Sequence, residues 1–175
     1  MKSNLFYRMW QFWQSLKKPP KQGDWAEVRS ILTPPEMELF EQLPVPDQNH
    51  SLRVLRNLTS AGERDEDLLK AALLHDIGKT RHTLSRWERV FAVLLAGLLP
   101  NTSARWGEKA PRGLYRPLVV IHQHPIWGAE LVKKAGSSRR VVWLIRHHEE
   151  QDLTGLFDRG GVELLRKLQL ADNVN

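Results

Sequence analysis

The chain has 175 residues, of which 41% are hydrophobic and 26% are charged, enough for one globular domain with a sizeable core. It contains no cysteine, which excludes disulfides, thiolate metal sites and cysteine nucleophiles and leaves imidazole and carboxylate groups as metal ligands. The net charge of +6 favours anionic partners such as nucleotides, nucleic acid or acidic lipid. The basic residues are scattered and form no stripe, so we expect no specific nucleic-acid binding.

The N-terminal residues 1–24 differ in composition from the rest of the chain. Aromatic and basic side chains interleave in residues 5–18 and a Pro-Pro pair follows, which predicts a short amphipathic helix and a linker. We expect this helix to pack on its own domain or on a partner subunit. The alternative is a weak contact with a membrane surface. We therefore predict an N-terminal segment, residues 1–24, and one domain, residues 25–175. No stretch is long enough to span a bilayer and no leader cleavage site follows the N-terminus, so we expect a soluble, cytoplasmic protein.

Caps and breakers divide the domain into predicted helices. The predicted ranges are 34–43, 47–61, 65–77, 85–99, 118–123, 125–135, 138–149 and 161–172. Capping boxes at Thr33-Glu36 and Ser85-Glu88 open the first and the fourth of these.

Two residues are predicted to end helices within this series. Gly78 is expected to stop the helix over 65–77, and Pro125 is expected to separate 118–123 from 125–135. Residues 101–117, rich in Gly, Pro and charge, predict a loop near the site or an irregular connection. Because no alternating strand pattern appears, we predict a single all-α domain without internal repeats.

Helical periodicity places titratable side chains on the apolar faces of four helices. These side chains are His50, Asp76, His148 and Asp172. His147 lies about 100° round the helix from His148, on the side of Trp143 and Leu144, so it too is predicted to face inward or nearly so. A single buried histidine or aspartate is usually a satisfied core group, but a cluster of them without a cation would leave buried charge unpaired. The set therefore predicts a bound metal ion, and its nitrogen and oxygen ligands suit manganese, iron, cobalt, nickel or zinc better than calcium.

The order of these residues resembles a known family. His50, the pair His75-Asp76 and Asp172 resemble the metal signature of the HD superfamily of metal-dependent phosphohydrolases, and "HDIGK" at residues 75–79 matches its HDIG branch. "HPIWGAEL" at 124–131 and "RHHEE" at 146–150 resemble segments of the branch with a two-metal centre. The resemblance covers roughly residues 47–174. The Gly-Tyr-Pro segment of the HD-GYP phosphodiesterases does not follow the double histidine, which argues against cyclic di-GMP as the substrate.

The resemblance also implies metal-ligand roles. It implies that one metal ion is held by His50, His75, Asp76 and Asp172. It implies that a second is held by His124, His147 and His148, with Asp76 bridging the two ions. His122 lies about 200° from His124 on a helix, and we favour His124 as the ligand because it carries the His-Pro context.

Two basic residues are candidates for binding the substrate. Lys79 matches the family's phosphate-facing lysine, although its spacing alone fits a solvated helix-end residue equally well. Arg146, beside the paired histidines, is a candidate phosphate ligand, with an exposed helix-face arginine as the alternative.

The implied activity is hydrolysis of a phosphate mono- or diester, expected in a nucleotide, by metal-activated water. One or two divalent transition-metal ions would be required, with Asp76 and Lys79 as catalytic residues. The alternative is a non-catalytic signalling or scaffold module of the same fold with a structural metal. The complete set of ligands favours the enzyme.

Overall fold

A computed structural model describes residues 18–85, 88, 106–107, 110–153 and 159–174. These residues form helices and connections with no β-strand among them, which confirms the predicted all-α fold. In chain order the α-helices are α1 Gln22–Ile31, α2 Pro34–Gln42, α3 Val45–Ser60, α4 Glu66–Leu74, α5 Arg116–Lys134, α6 Arg139–His147 and α7 Arg159–Asn173. Two 3₁₀ helices, η1 Ile77–His82 and η2 Gly113–Tyr115, lie between α4 and α5. Within the described ranges, no helix has the length and apolarity needed to cross a membrane.

Some predicted segments lie outside the described residues. They are residues 5–17 of the predicted amphipathic segment 5–18, most of the predicted helix over 85–99, and much of the connection 101–117. The capping box that opens residues 85–99 is present, because the Ser85 N–H donates to Glu88 Oε2 at 2.8 Å. The predicted boundary after residue 24 falls inside α1, where Asp24 Oδ1 accepts from Arg56 Nη2 at 2.6 Å.

Helix α4 lies at the centre of the bundle, packed against α3, α6 and α7. Leu68 and residues 71–74 have no exposed surface, so neighbouring helices cover α4 on all sides beyond its first turn. Its N-terminus is capped as predicted, since the Asp65 carboxylate accepts from the Leu68 N–H at 3.0 Å. The chain therefore leaves the middle of the core at His75 and Asp76.

The predicted end of this helix at Gly78 is wrong. Helix α4 ends at Leu74, and Gly78 lies inside η1, which packs closely on α5. A Cβ atom at residue 78 would overlap the His124 carbonyl oxygen and lie 2.6 Å from the Gly128 nitrogen. Glycine is therefore needed at residue 78 for backbone contact with α5. That contact brings Asp76 next to His124.

The predicted break at Pro125 is also wrong, because α5 runs through this residue from Arg116 to Lys134. A proline has no N–H to donate to the carbonyl four residues earlier, here that of Ile121. In α5 the Ile121 carbonyl accepts instead from His124 Nδ1, at 2.7 Å. The imidazole replaces the missing backbone donor, so the helix continues.

Candidate metal centre

Two overlapping groups of imidazole and carboxylate side chains lie beside the C-terminal end of α4. The first group is His50, His75 and Asp76, and the second is Asp76, His124 and His148. Within each group, one potential ligand atom per residue lies within 4.8 Å of the others. All five side chains except His50 are buried. Each group could hold a metal ion, and Asp76 is common to both.

Asp76 occupies the position between the buried imidazoles. Its Oδ1 lies 3.7 Å from His75 Nε2, 3.4 Å from His124 Nε2 and 4.0 Å from His148 Nε2. One carboxylate oxygen therefore faces nitrogens from three elements of the fold. Asp76 is therefore the carboxylate that the two candidate groups share.

Asp172, from α7, adds a second carboxylate on the side of the first group. Its Oδ1 lies 2.8 Å from His50 Nε2 and 3.7 Å from His75 Nε2. Burial raises the pKa of Asp172, but the hydrogen bond from His50 and the nearby His75 hold that pKa below its usual value. Asp172 therefore stays ionised next to the first group.

The three buried imidazoles are oriented in one way. In each, Nδ1 contacts the carbonyl oxygen three residues earlier: His75 with residue 72 at 3.0 Å, His124 with residue 121 at 2.7 Å and His148 with residue 145 at 2.7 Å. A carbonyl oxygen only accepts, so each Nδ1 carries the hydrogen and each Nε2 carries a lone pair. Outer hydrogen bonds of this kind orient histidine ligands in metal sites.

These carbonyl groups are available because the helical ladder does not use them. Helix α4 ends at Leu74 and α6 ends at His147, which frees carbonyls in their last turns for His75 and His148. His124 lies in the middle of α5, where Pro125 frees the carbonyl instead. Pro125 thus gives a mid-helix histidine the orientation that the other two have at helix ends.

The facing imidazole nitrogens supply a test of whether a metal ion fits. His124 Nε2 and His148 Nε2 lie 3.1 Å apart, and each carries a lone pair. Two acceptors cannot hydrogen-bond to each other, so this contact is unfavourable unless a cation lies between them. A divalent transition metal suits this set of imidazole nitrogens and a carboxylate oxygen.

The pKa shifts keep these groups in the forms that bind metal. Burial lowers the pKa of His75. Burial also lowers the pKa of His148, and the nearby imidazoles of His124 and His75 lower it further. Burial raises the pKa of Asp76, but Lys79 and the imidazoles more than offset this and hold it well below the usual range. At neutral pH the imidazoles of His75 and His148 are therefore neutral and Asp76 is ionised, as metal ligation requires.

Lys79 lies at the rim of the same cluster. Its Nζ is 2.6 Å from Asp76 Oδ1 and 2.7 Å from Oδ2, and 29% of its side chain is exposed. Burial lowers the pKa of Lys79, but Asp76, with smaller contributions from Asp47 and Glu149, raises that pKa above its usual value. A protonated ammonium group is therefore fixed beside the carboxylate that the two groups share.

Two other predicted site residues, His147 and Arg146, do not join the cluster, and neither does His122, over which His124 was favoured. His147 Nδ1 donates to Glu150 Oε2 at 2.7 Å and its ring lies 4.9 Å from that of Trp143, so it belongs to neither group. The pairing of His147 with His148 as ligands, implied by the resemblance, is therefore not seen, because the two point about 100° apart. His122 is exposed while His124 is buried. Arg146 is exposed as well.

Two acidic residues near the centre were not singled out from the sequence. Glu149 Oε1 lies 3.8 Å from the Nε2 atoms of both His124 and His148. Asp47, buried in the first turn of α3, is close enough to raise the pKa of Lys79. Spacing could have indicated both, because Asp47 precedes His50 by one helical turn and Glu149 directly follows His148.

One comparison with known proteins gives a match. The family model described as HD domain matches residues 48–175. The chain belongs to the HD domain family. The match spans every candidate ligand of this HD domain from His50 to Asp172, and it confirms the resemblance to the HD superfamily of metal-dependent phosphohydrolases. Searches of curated proteins and of solved structures found no match.

The paired histidines should respond differently to truncation. We expect His148→Ala to lower metal content and metal affinity, because it removes a buried Nε2 ligand. His147→Ala removes only the contacts with Glu150 and Trp143, so metal content should stay at the wild-type level. Elemental analysis and calorimetric metal titration of both variants measure the difference. Equal metal loss in the two variants would contradict the separation that the structure makes.

Pro125→Ala tests the orientation of His124. An alanine N–H can donate to the Ile121 carbonyl and displace His124 Nδ1, while the helix itself is retained. We expect the metal-free variant to lose the single Nδ1–H tautomer, and metal affinity to fall by roughly 10- to 100-fold, as when other outer partners of ligands are lost. Long-range ¹H–¹⁵N NMR reports the tautomer. An unchanged tautomer with unchanged affinity would show that Pro125 does not orient the ring.

Proposed function

We propose that this HD domain hydrolyses a phosphate mono- or diester, with nucleotides as the candidate substrates, in a reaction that depends on bound divalent metal. The facing Nε2 atoms of His124 and His148, with the shared Asp76 carboxylate, carry this proposal. Such a set of ligands is unfavourable without a cation. The protonated Lys79 beside it, with its side chain partly exposed, adds a group that suits a phosphate substrate.

The reaction transfers the phosphoryl group from an alcohol to water. The water oxygen forms a bond to phosphorus with its own electron pair and gives up a proton. The bond between phosphorus and the ester oxygen breaks, and its electron pair remains on that oxygen, which takes up a proton. The products are the free alcohol and inorganic phosphate, or a phosphate monoester when the substrate is a diester.

The side chains divide into those that would hold metal and those that would act on the substrate. His50, His75, Asp76 and Asp172 would hold one ion, and Asp76, His124 and His148 a second. When bound, such ions lower the pKa of water and stabilise charge on phosphoryl oxygens. Lys79 would bind a phosphoryl oxygen through a charge-assisted hydrogen bond, because its ammonium group is partly exposed next to Asp76.

The decisive experiment pairs metal content with hydrolysis. Protein purified without chelator is assayed by elemental analysis and, in parallel, against nucleoside phosphates and simple esters with manganese, iron, cobalt, nickel or zinc. We expect bound transition metal and hydrolysis that chelator abolishes and metal restores. His148→Ala serves as the variant with an impaired site, and His147→Ala is its control.

Two results would contradict this proposal. Full hydrolytic activity in metal-free protein would remove the metal from the mechanism. Stoichiometric metal with no hydrolysis of any ester would instead support the non-catalytic scaffold.

A further inference from the structure

A cavity of about 170 Å³ opens beside the candidate metal centre. His148 and Asp172, one residue from each side of the centre, form part of its wall. A phosphate ester bound at these residues therefore has this cavity next to its phosphoryl group. For comparison, a cavity of about 150 Å³ holds one benzene molecule, so the space is large enough for one ring of a substrate.

The rest of the cavity wall is polar, with carboxylate acceptors and with amide groups that both donate and accept. Its other described residues are two acids and three amides: Glu149, Glu150, Gln151, Gln169 and Asn173. The Gln169 amide donates to the carbonyl oxygens of His148 at 3.1 Å and Glu150 at 2.7 Å. With those donors used, Gln169 has its acceptor oxygen left for a ligand.

The charges of the wall are all of one sign. Glu149 and Glu150 are acids that are assigned no ion, whereas the charge of Asp172 would be offset by the ion it holds. No lysine or arginine occurs among the described residues that line the cavity. A group that enters this space gains by donating hydrogen bonds and loses by carrying negative charge. Sugar hydroxyls donate hydrogen bonds and carry no charge, so they suit this space. A further phosphate group is negatively charged and acts mainly as an acceptor, so it does not.

We propose that the cavity binds the alcohol part of the substrate, a neutral sugar ring with free hydroxyl groups, and disfavours alcohols that carry another phosphate. This proposal rests on the proposed function and narrows its substrate class. It favours a nucleoside monophosphate, with the ribose in the cavity and the base outside it. It disfavours polyphosphorylated and bisphosphorylated nucleotides, which would place negative charge beside the carboxylates of Glu149 and Glu150.

The first test compares AMP with adenosine 3′,5′-bisphosphate under the metal that supports hydrolysis. Both substrates present the same kind of ester bond, but AMP releases neutral adenosine and the bisphosphate releases an alcohol that still carries phosphate. We expect kcat/KM to favour AMP by about tenfold or more. Equal values, or a preference for the bisphosphate, would overturn the assignment of the cavity.

A pair of lysine variants tests whether this preference comes from the cavity. Gln151→Lys places a cation in the wall and should reduce the AMP preference about three- to tenfold. Gln42→Lys adds the same side chain at an exposed position of α2 that does not line the cavity, and it should leave the preference unchanged. An equal change in both variants would mean that net charge, and not the cavity, sets the preference.

A binding measurement separates failure of this inference from failure of the proposed function. Ribose, the neutral alcohol part alone, titrated into the metal-free protein should shift the side-chain amide NMR signals of Gln151, Gln169 and Asn173. Shifts confined to other residues would contradict the cavity assignment even where esters are hydrolysed. Absence of any metal-dependent hydrolysis would contradict the function itself, whatever the amide signals show.

Discussion

Asp76→Asn is expected to lose bound metal and hydrolytic activity together. Asparagine keeps the shape of the side chain but removes the negative charge that faces three imidazole nitrogens and both candidate metal positions. Two cations held close together would then lack the shared anion that offsets their repulsion. Loss of a residue that only hydrogen-bonds to a metal ligand lowers metal affinity by roughly 10- to 100-fold. Because Asp76 is itself a candidate ligand, its replacement should lower metal affinity by more than that.

Asp67→Asn is the matched control for this variant. It makes the same chemical change at the other end of α4, where the Asp67 carboxylate accepts from Ser138 Oγ at 2.7 Å, away from the metal centre. Elemental analysis, turnover and a circular dichroism spectrum of both variants separate ligand loss from misfolding. A folded Asp76→Asn protein with wild-type metal content would contradict the role of Asp76 as the shared ligand.

Lys79→Ala is expected to lose activity while it keeps its metal. The substitution removes an ammonium group beside Asp76, a group that is not a metal ligand. In a preorganised site, a charge-assisted bond to the developing phosphoryl charge is worth about 2–4 kcal/mol, or roughly 30- to 1000-fold in rate. Metal affinity should not fall, because Lys79 contacts the same carboxylate oxygens that would bind the ions.

Arg81→Ala controls for the loss of a positive charge from the same 3₁₀ helix. Arg81 pairs with Glu130 at 3.0 Å and lies over the Trp127 ring, so its removal should change turnover by less than about threefold. An unaltered rate in Lys79→Ala would take this residue out of the site. A large loss of metal in Lys79→Ala would mean that the lysine acts by positioning Asp76.

The all-α fold and the inward-facing residues of the candidate metal centre were largely predictable from sequence, because both depend on local pattern. Capping residues such as Thr33 and Asp65 act within one turn, so they locate helix starts without knowledge of the fold. Periodicity of 3.6 residues placed Asp76 and His148 on buried faces. The same phase placed His147 about 100° from His148, whereas the resemblance to the family implied both as ligands.

Helix ends and breaks were less predictable where a distant element decides them. Gly78 matches a helix stop in sequence, but in the fold it permits the contact between η1 and α5. Pro125 matches a helix breaker, but the His124 imidazole supplies the donor that the proline lacks. In both cases a local rule was overridden by a tertiary contact or by a side-chain hydrogen bond that spacing alone does not reveal.

The sequence by itself determined which side chains face inward, since the face of a helix follows from residue spacing. Only the tertiary structure decided which of them meet: Asp76 with imidazoles from α5 and α6, and Asp172 with His50 across α7 and α3. The tertiary structure likewise decided that Lys79 lies beside Asp76 and that Glu149 lies near two histidines. Distances between helices depend on how their side chains pack across large separations in sequence, and no local pattern encodes those distances.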